Sequence, residues 1–265
     1  MNQTTKPRAR LGPLGAVAVW CLAALAALAA LGKPPLEVQS LPIVSAAIAY
    51  HGGDLYRAST TELDLCSKSG CFHISATVDG DRFDLSARRD DEGRSRRVRV
   101  TNDTVEQWVD GQRVSVAPGE TQRLRDWVMQ RVYFAFLPFR LDDPSVRKQD
   151  LGFEIWGNRR LQKVKITFAA GSSTDADDEY LFWFEPESGR VAQFAYSFQG
   201  SPGGLRFRKA INSRRIGGIL FFDQENYGVE GEGLRVDQMT PAFVKTLRRV
   251  STVRLENIEV RPLVP

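Results

Sequence analysis

His51 and His73 are the only imidazoles in the 265-residue chain, so a Ser-His-Asp relay would have to take its base from one of them. No G-x-S-x-G turn accompanies them to hold a strained nucleophilic serine. The run Gly171-Ser172-Ser173 lacks the flanking strand and helix that such a serine needs. Neither an H-E-x-x-H helix nor a Gly-rich phosphate loop is present. His51 follows a helical stretch, where the helix dipole favours a cation. That gives it a capping role or, beside a carboxylate, the role of base in a hydrolase. Cys66 and Cys71 bracket Ser67-Lys68-Ser69-Gly70. A turn there would face them across two paired strands, where an oxidising compartment favours a disulfide. Two inert thiols are the first alternative; a metal site with His73 is the second, short of a fourth ligand. Asp175, Asp177, Asp178 and Glu179 form an acidic run without the spacing or distal Glu of a calcium loop. No catalytic residue, metal or cofactor is singled out.

The aromatic residues say more. Tyr180, Leu181, Phe182, Trp183 and Phe184 form a strand-like run that is apolar on both faces. Such a strand is either covered on both sides or lines a hydrophobic cavity on one. We expect Trp127, Phe182, Trp183, Phe184 and Tyr196 to line a lipid-sized groove. Arg206 shares a face with Arg208 and is placed to meet a carboxylate or phosphate head group, or else solvent or an acid across the strand.

The elements that would carry these residues are mostly strands. Phe83, Leu85 and Ala87 alternate with polar neighbours, as do Val98 and Val100, Val164, Ile166 and Phe168, and Leu205 and Phe207. A period of two puts one sheet face inward and the other outward. Asp79-Gly80 and Asp110-Gly111 favour tight antiparallel hairpins, and a phase change at Glu256-Asn257 predicts a bulge. Residues 38–50 show helical spacing, stopped by Gly52-Gly53. A helix opened by Pro118 and Glu120 and closed by Pro138 carries the stripe Leu124, Trp127, Val128, Val132 and Ala135, interrupted by Arg131. A short helix is expected from Pro241 to about Arg248. The fold class is mainly β (α+β): a curved antiparallel sheet or open β-barrel of about ten strands, with a helix plugging its concave face.

Charge argues against a nucleic-acid partner. The chain has 36 Lys and Arg against 32 Asp and Glu. Lys6, Arg8 and Arg10 precede the body, which is left with 33 against 32. A phosphate-backbone groove needs a net basic face. Arg94, Arg96, Arg97 and Arg99 do cluster, beside Asp90, Asp91 and Glu92, as a solvated hairpin or an anion-binding face. Residues 11–32 carry no charge and follow the basic start, the layout of a signal peptide or an uncleaved membrane anchor. Trp20 before Cys21 argues against lipoprotein processing. The domains are then a leader over 1–32 and one β-rich body over 33–265, held in the periplasm or on the outer side of the inner membrane.

Four blocks carry a family resemblance: residues 46–53 with Asp54, 132–146 (VYFAFLPFRLDDPSV), 178–184 (DEYLFWF) and 203–208 (GGLRFR). Together they resemble an uncharacterised bacterial envelope family, grouped by fold with the lipoprotein carriers of outer-membrane lipoprotein sorting. The resemblance implies an open antiparallel β-barrel with helices at its mouth and assigns no catalytic residue. It departs at Gly171-Ser172-Ser173 and Ala176, where the family tends to a Gly-rich run with a His. The expected function is a non-enzymatic binding protein with an apolar groove for a lipid or acyl chain. The alternatives are a hydrolase using His51 and a scaffold for another envelope protein.

Overall fold

The computed structural model describes residues 41–169, 178–198 and 203–263. The leader expected at 1–32, and Asp175 and Asp177 of the acidic run, lie outside them.

Period-two alternation between glycine-bearing turns produces thirteen antiparallel strands. The first six are β1 (Ala58–Ser67), β2 (Gly70–Asp79), β3 (Arg82–Asp91), β4 (Arg94–Thr101), β5 (Val105–Val109) and β6 (Gln112–Val114). The other seven are β7 (Val146–Trp156), β8 (Arg159–Phe168), β9 (Tyr180–Phe184), β10 (Val191–Phe198), β11 (Gly204–Ile216), β12 (Ile219–Glu230) and β13 (Arg248–Pro262). The order across the sheet is β6-β5-β4-β3-β2-β1-β13-β12-β11-β10-β9-β8-β7. The chain therefore starts mid-sheet, meanders to one edge, crosses over, and meanders back until β13 lies against β1. Edges β6 and β7 do not pair with each other, so the sheet stays open.

About ten strands were expected, and the described residues form thirteen. β6 is three exposed residues and β5 is half-buried throughout, so neither shows a clear in-out alternation. The Asp110-Gly111 turn has φ of 52° and 79°, the paired positive angles of a tight hairpin. The bulge expected at Glu256-Asn257 is present: Asp64 faces Glu256 while Glu62 faces Glu259. Cys66 and Cys71 face each other across β1 and β2 and form the disulfide. Closing so short a loop contributes about 2 kcal/mol in the chain-entropy account.

Among the described residues, three α-helices accompany the sheet: α1 (Pro42–His51), α2 (Glu120–Ala135) and the single turn α3 (Pro241–Val244). α2 makes the crossing from β6 towards β7. Its stripe of Leu124, Val128, Val132 and Ala135 is buried with Ile74, Leu85 and Val100 of the first half-sheet and Phe221 and Leu255 of the second. Side chains of both halves thus close on one helix, and the sheet curves round it. α1 buries Ile43, Val44 and Ala47 in a second inner cluster with Phe182, Phe184 and Phe194. The β9–β10 turn abuts this helix at Gly189. There a Cβ would lie 2.7 Å from the Ala47 nitrogen, and φ is +74°, so only glycine suits the position. A third cluster lies on the other sheet face, where Leu181, Trp183, Leu205 and Phe207 are covered by Val236 and Met239. This explains why β9 is apolar on both sides: all five of its residues are buried, under helices on one face and under the segment before α3 on the other.

Candidate ligand-binding site

The apolar stripe of α2 is broken by Arg131, one turn after Trp127. The Arg131 guanidinium lies 4.3 Å from the centre of Phe72 on β2 and 4.3 Å from that of Trp127, two rings that meet edge to face with centres 5.7 Å apart. Arg89 stands over Phe72 at 5.1 Å and Arg96 over Trp127 at 5.5 Å. Three guanidiniums thus surround this ring pair: Arg89 over Phe72, Arg131 over both, and Arg96 over Trp127. Attraction to the ring quadrupoles accounts for part of this arrangement. The backbone supplies the rest, because Arg89 and Arg96 are directly opposed on β3 and β4. Arg131 Nη1 donates to the Trp127 carbonyl at 2.6 Å. Burial, reinforced by Arg89 and Arg96, lowers its pKa to about 10.

β11 supplies the opposite wall. Leu205 and Phe207 belong to the outer cluster, so the alternation turns Arg206 and Arg208 inward. Arg208 donates to Gln224 Oε1 at 2.7 Å and to the Tyr196 hydroxyl at 2.9 Å, and lies 4.4 Å from the ring centre of Phe134. Gln224 is held in turn by the Phe134 carbonyl at 3.0 Å. Arg206 is already matched. It pairs with Glu230 at 3.0 Å, donates to the Leu205 carbonyl at 3.1 Å, and covers Phe198.

Between α2 and this wall lies a cavity of about 470 Å3. Phe72, Phe134, Tyr180, Tyr196 and Phe198 supply its aromatic surface. Arg131, Arg206, Arg208 and Lys68 supply cations, and Asp178 is the single carboxylate among its described lining residues. A smaller space of about 190 Å3 shares Gln130 and Tyr180 with it and continues past Tyr133 to Phe168. The volume falls within the range of ordinary small-molecule sites, and the lining suits a molecule with an apolar body and a polar end.

A family model described as "Family of unknown function (DUF6503)" matches residues 60–242. The chain belongs to that family. The stretch matched to DUF6503 contains α2, β11 and most of the cavity, while α1, with His51, and β13 lie outside it. No curated protein matches the chain. Among solved structures, the DUF6503 chain is similar to a LolA superfamily protein from Nitrosomonas europaea (11% identity, 84% of this chain and 93% of that one, TM-score 0.48). A DUF1329 family protein from Desulfovibrio piger gives 11%, 82%, 91% and 0.44 for the same quantities. A domain assigned as an outer membrane lipoprotein-sorting protein from Vibrio parahaemolyticus gives 12%, 77%, 97% and 0.41.

The residues expected from sequence to line a groove divide into three groups. Tyr196 and Arg206 border the cavity, and Trp127 stands beside it behind Arg131. Phe182 and Phe184 are fully enclosed in the α1 cluster, with ring centres 5.9 Å apart and Phe182 5.3 Å from Phe194. Trp183, its neighbour in the chain, points to the other sheet face and donates to Glu154 Oε2 at 2.6 Å. Arg131 and Arg208 were legible only as an interruption of a stripe and as half of a pair.

His51 is 0% exposed. Its Nε2 accepts the Val191 N–H at 3.3 Å, so the ring ties the end of α1 to β10. Burial pushes its pKa down to about 4, aided by Arg215 and Arg190. Its charged neighbours are arginines, which is the wrong sign to orient a catalytic base. His73 instead sits on β2 with its Nδ1 3.0 Å from Asp64.

Proposed function

We propose that this DUF6503 protein is a non-enzymatic binding module of the cell envelope that takes an acyl chain or another hydrophobic small molecule into the cavity beneath α2. The cavity of about 470 Å3, walled by five aromatic side chains, carries this reading. Each methylene withdrawn from water there contributes about 0.8 kcal/mol. The uncharged residues 11–32 after a basic start support an address outside the cytosol. A disulfide between the chain's Cys66 and Cys71 is consistent with an oxidising compartment. In this reading Tyr196 and Arg206 are wall residues of the cavity, and Trp127 supports Arg131 from behind.

Native mass spectrometry of gently purified full-length protein is expected to show an adduct of lipid or acyl mass that solvent extraction removes. N-phenyl-1-naphthylamine is then expected to brighten on mixing with the extracted protein. Spectra free of adduct under several conditions, together with a probe that stays dark, would count decisively against a hydrophobic cargo.

One observation favours a second reading, docking of another envelope protein. Phe153 and Ile155 on edge strand β7 are 49% and 59% exposed, with Leu151 close by in sequence at 41%. Exposed apolar side chains on an unpaired edge suit partner recognition. Co-elution with an envelope protein that is lost in Ile155→Lys would mark such a surface, and elution unaffected by that change would remove it.

A further inference from the structure

We infer that the molecule held in the cavity carries an anionic oxygen group, a phosphate or a carboxylate, bound by the guanidiniums of Arg131 and Arg208. This rests on the binding reading above and specifies the chemistry of the ligand's polar end. The observation behind it is an imbalance of charge. Arg131 has two rings and one carbonyl as partners, and its buried Nε has no hydrogen-bond partner. Arg208 is held by neutral Gln224 and Tyr196, and its buried Nε is likewise unsatisfied. Neither forms an ion pair with a carboxylate of the described residues. Several other arginines do meet a carboxylate: Arg99 meets Asp84 and Glu106, Arg190 meets Glu185, and Arg206, on the same cavity wall as Arg208, meets Glu230.

A buried charge without a counter-charge is costly, and removing one partner from such a pair is among the larger penalties known. The fold nevertheless keeps two guanidiniums that form no ion pair among the described residues in the lining of one cavity. Lys68 lines the same space, and Arg89 and Arg96 stand behind Arg131. Burial, with repulsion from Arg89 and Arg96, lowers the Arg131 pKa to about 10 and still leaves it cationic at neutral pH. An entering phosphate or carboxylate would accept charge-assisted hydrogen bonds from donors already fixed in place. Its alkyl portion would lie on Phe134, Tyr196 and Phe198.

Isothermal titration of the full chain with octyl phosphate, octanoate, octanol and inorganic phosphate tests this. The two octyl anions are expected to bind at least about tenfold more tightly than octanol, the size of one charge-assisted contact. Arg208→Gln and Arg131→Gln should each remove most of that preference while octanol affinity stays nearly constant. Arg208→Lys should restore part of it. Thermal unfolding identifies any variant that fails to fold; should Arg131→Gln do so, the Arg208 pair alone decides. Equal affinity for the octyl anions and octanol overturns the inference and leaves the hydrophobic cavity standing. Tight inorganic phosphate with silent octanol upholds the anion site and overturns the acyl reading. Silence from all four compounds overturns both.

Discussion

Replacing Phe182 by Ala is expected to lower the free energy of unfolding by about 3–5 kcal/mol, the cost of removing a fully enclosed ring and leaving a void. Phe182 is 0% exposed, faces Phe194 across β9 and β10, and shares a cluster with Val44 and Ala47 of α1. The surroundings can relax little, because Gly189 already abuts the α1 backbone. Urea unfolding reads the effect directly. It also separates two roles that the sequence left joined. A ring lining a ligand groove would lose binding and cost less than about 1 kcal/mol on truncation, since solvent or ligand would refill the space. A ring in a dry core should cost the full amount and leave octyl-ligand affinity almost unchanged.

The second large effect is in pH. His51 is neutral in the folded state because burial pushes its pKa from 6.5 down to about 4. In the unfolded chain it titrates near its ordinary value. Between these two values the unfolded state binds more protons than the folded state, so stability rises with pH. The contribution of His51 is therefore complete above about pH 6.5 and is lost as pH falls towards 4, an order of ~3 kcal/mol for a shift of this size. Denaturation midpoints across this window should show the loss in the wild type. His51→Gln retains an acceptor for the Val191 N–H but has no titrating ring, so its profile should be flatter by that amount. Parallel profiles for the two proteins would show that His51 is not held neutral by its surroundings. The result bears on function too: an imidazole locked in its neutral form beneath β10 ties the fold together and has no access to a substrate.

Much of the architecture was readable because strands announce themselves by alternation. Leu85 and Ala87, Val164 and Ile166, the Asp110-Gly111 turn and the slip at Asn257 each appear where the pattern puts them. The Cys66–Cys71 bridge followed from two half-cystines flanking a turn. What alternation leaves open is which side is which. The run Leu205-Arg206-Phe207-Arg208 has the same period whether the arginines face water or an enclosed space. The outcome depends on residues 231–247, a turn-rich stretch that covers Leu205 and Phe207 through Val236 and Met239. Nothing local in β11 indicates that cover. For the same reason Phe182 and Trp183, one residue apart, went to opposite sides of the sheet. Arg131 was visible as a flaw in the α2 stripe, but its ring partner Phe72 lies on a distant strand, and only tertiary structure brings the two together.

The seam between β1 and β13 gives the fold a mechanical character. Ser59 at the start of β1 faces Pro262 at the end of β13, so tension applied at those two points bears on one rung of the ladder before the next. Ladder bonds run across the strands, and such loading opens them in succession and not as a set. The protein would yield first in the middle, parting like a zip into the two meanders that α2 joins, while the strands within each meander stay under little load.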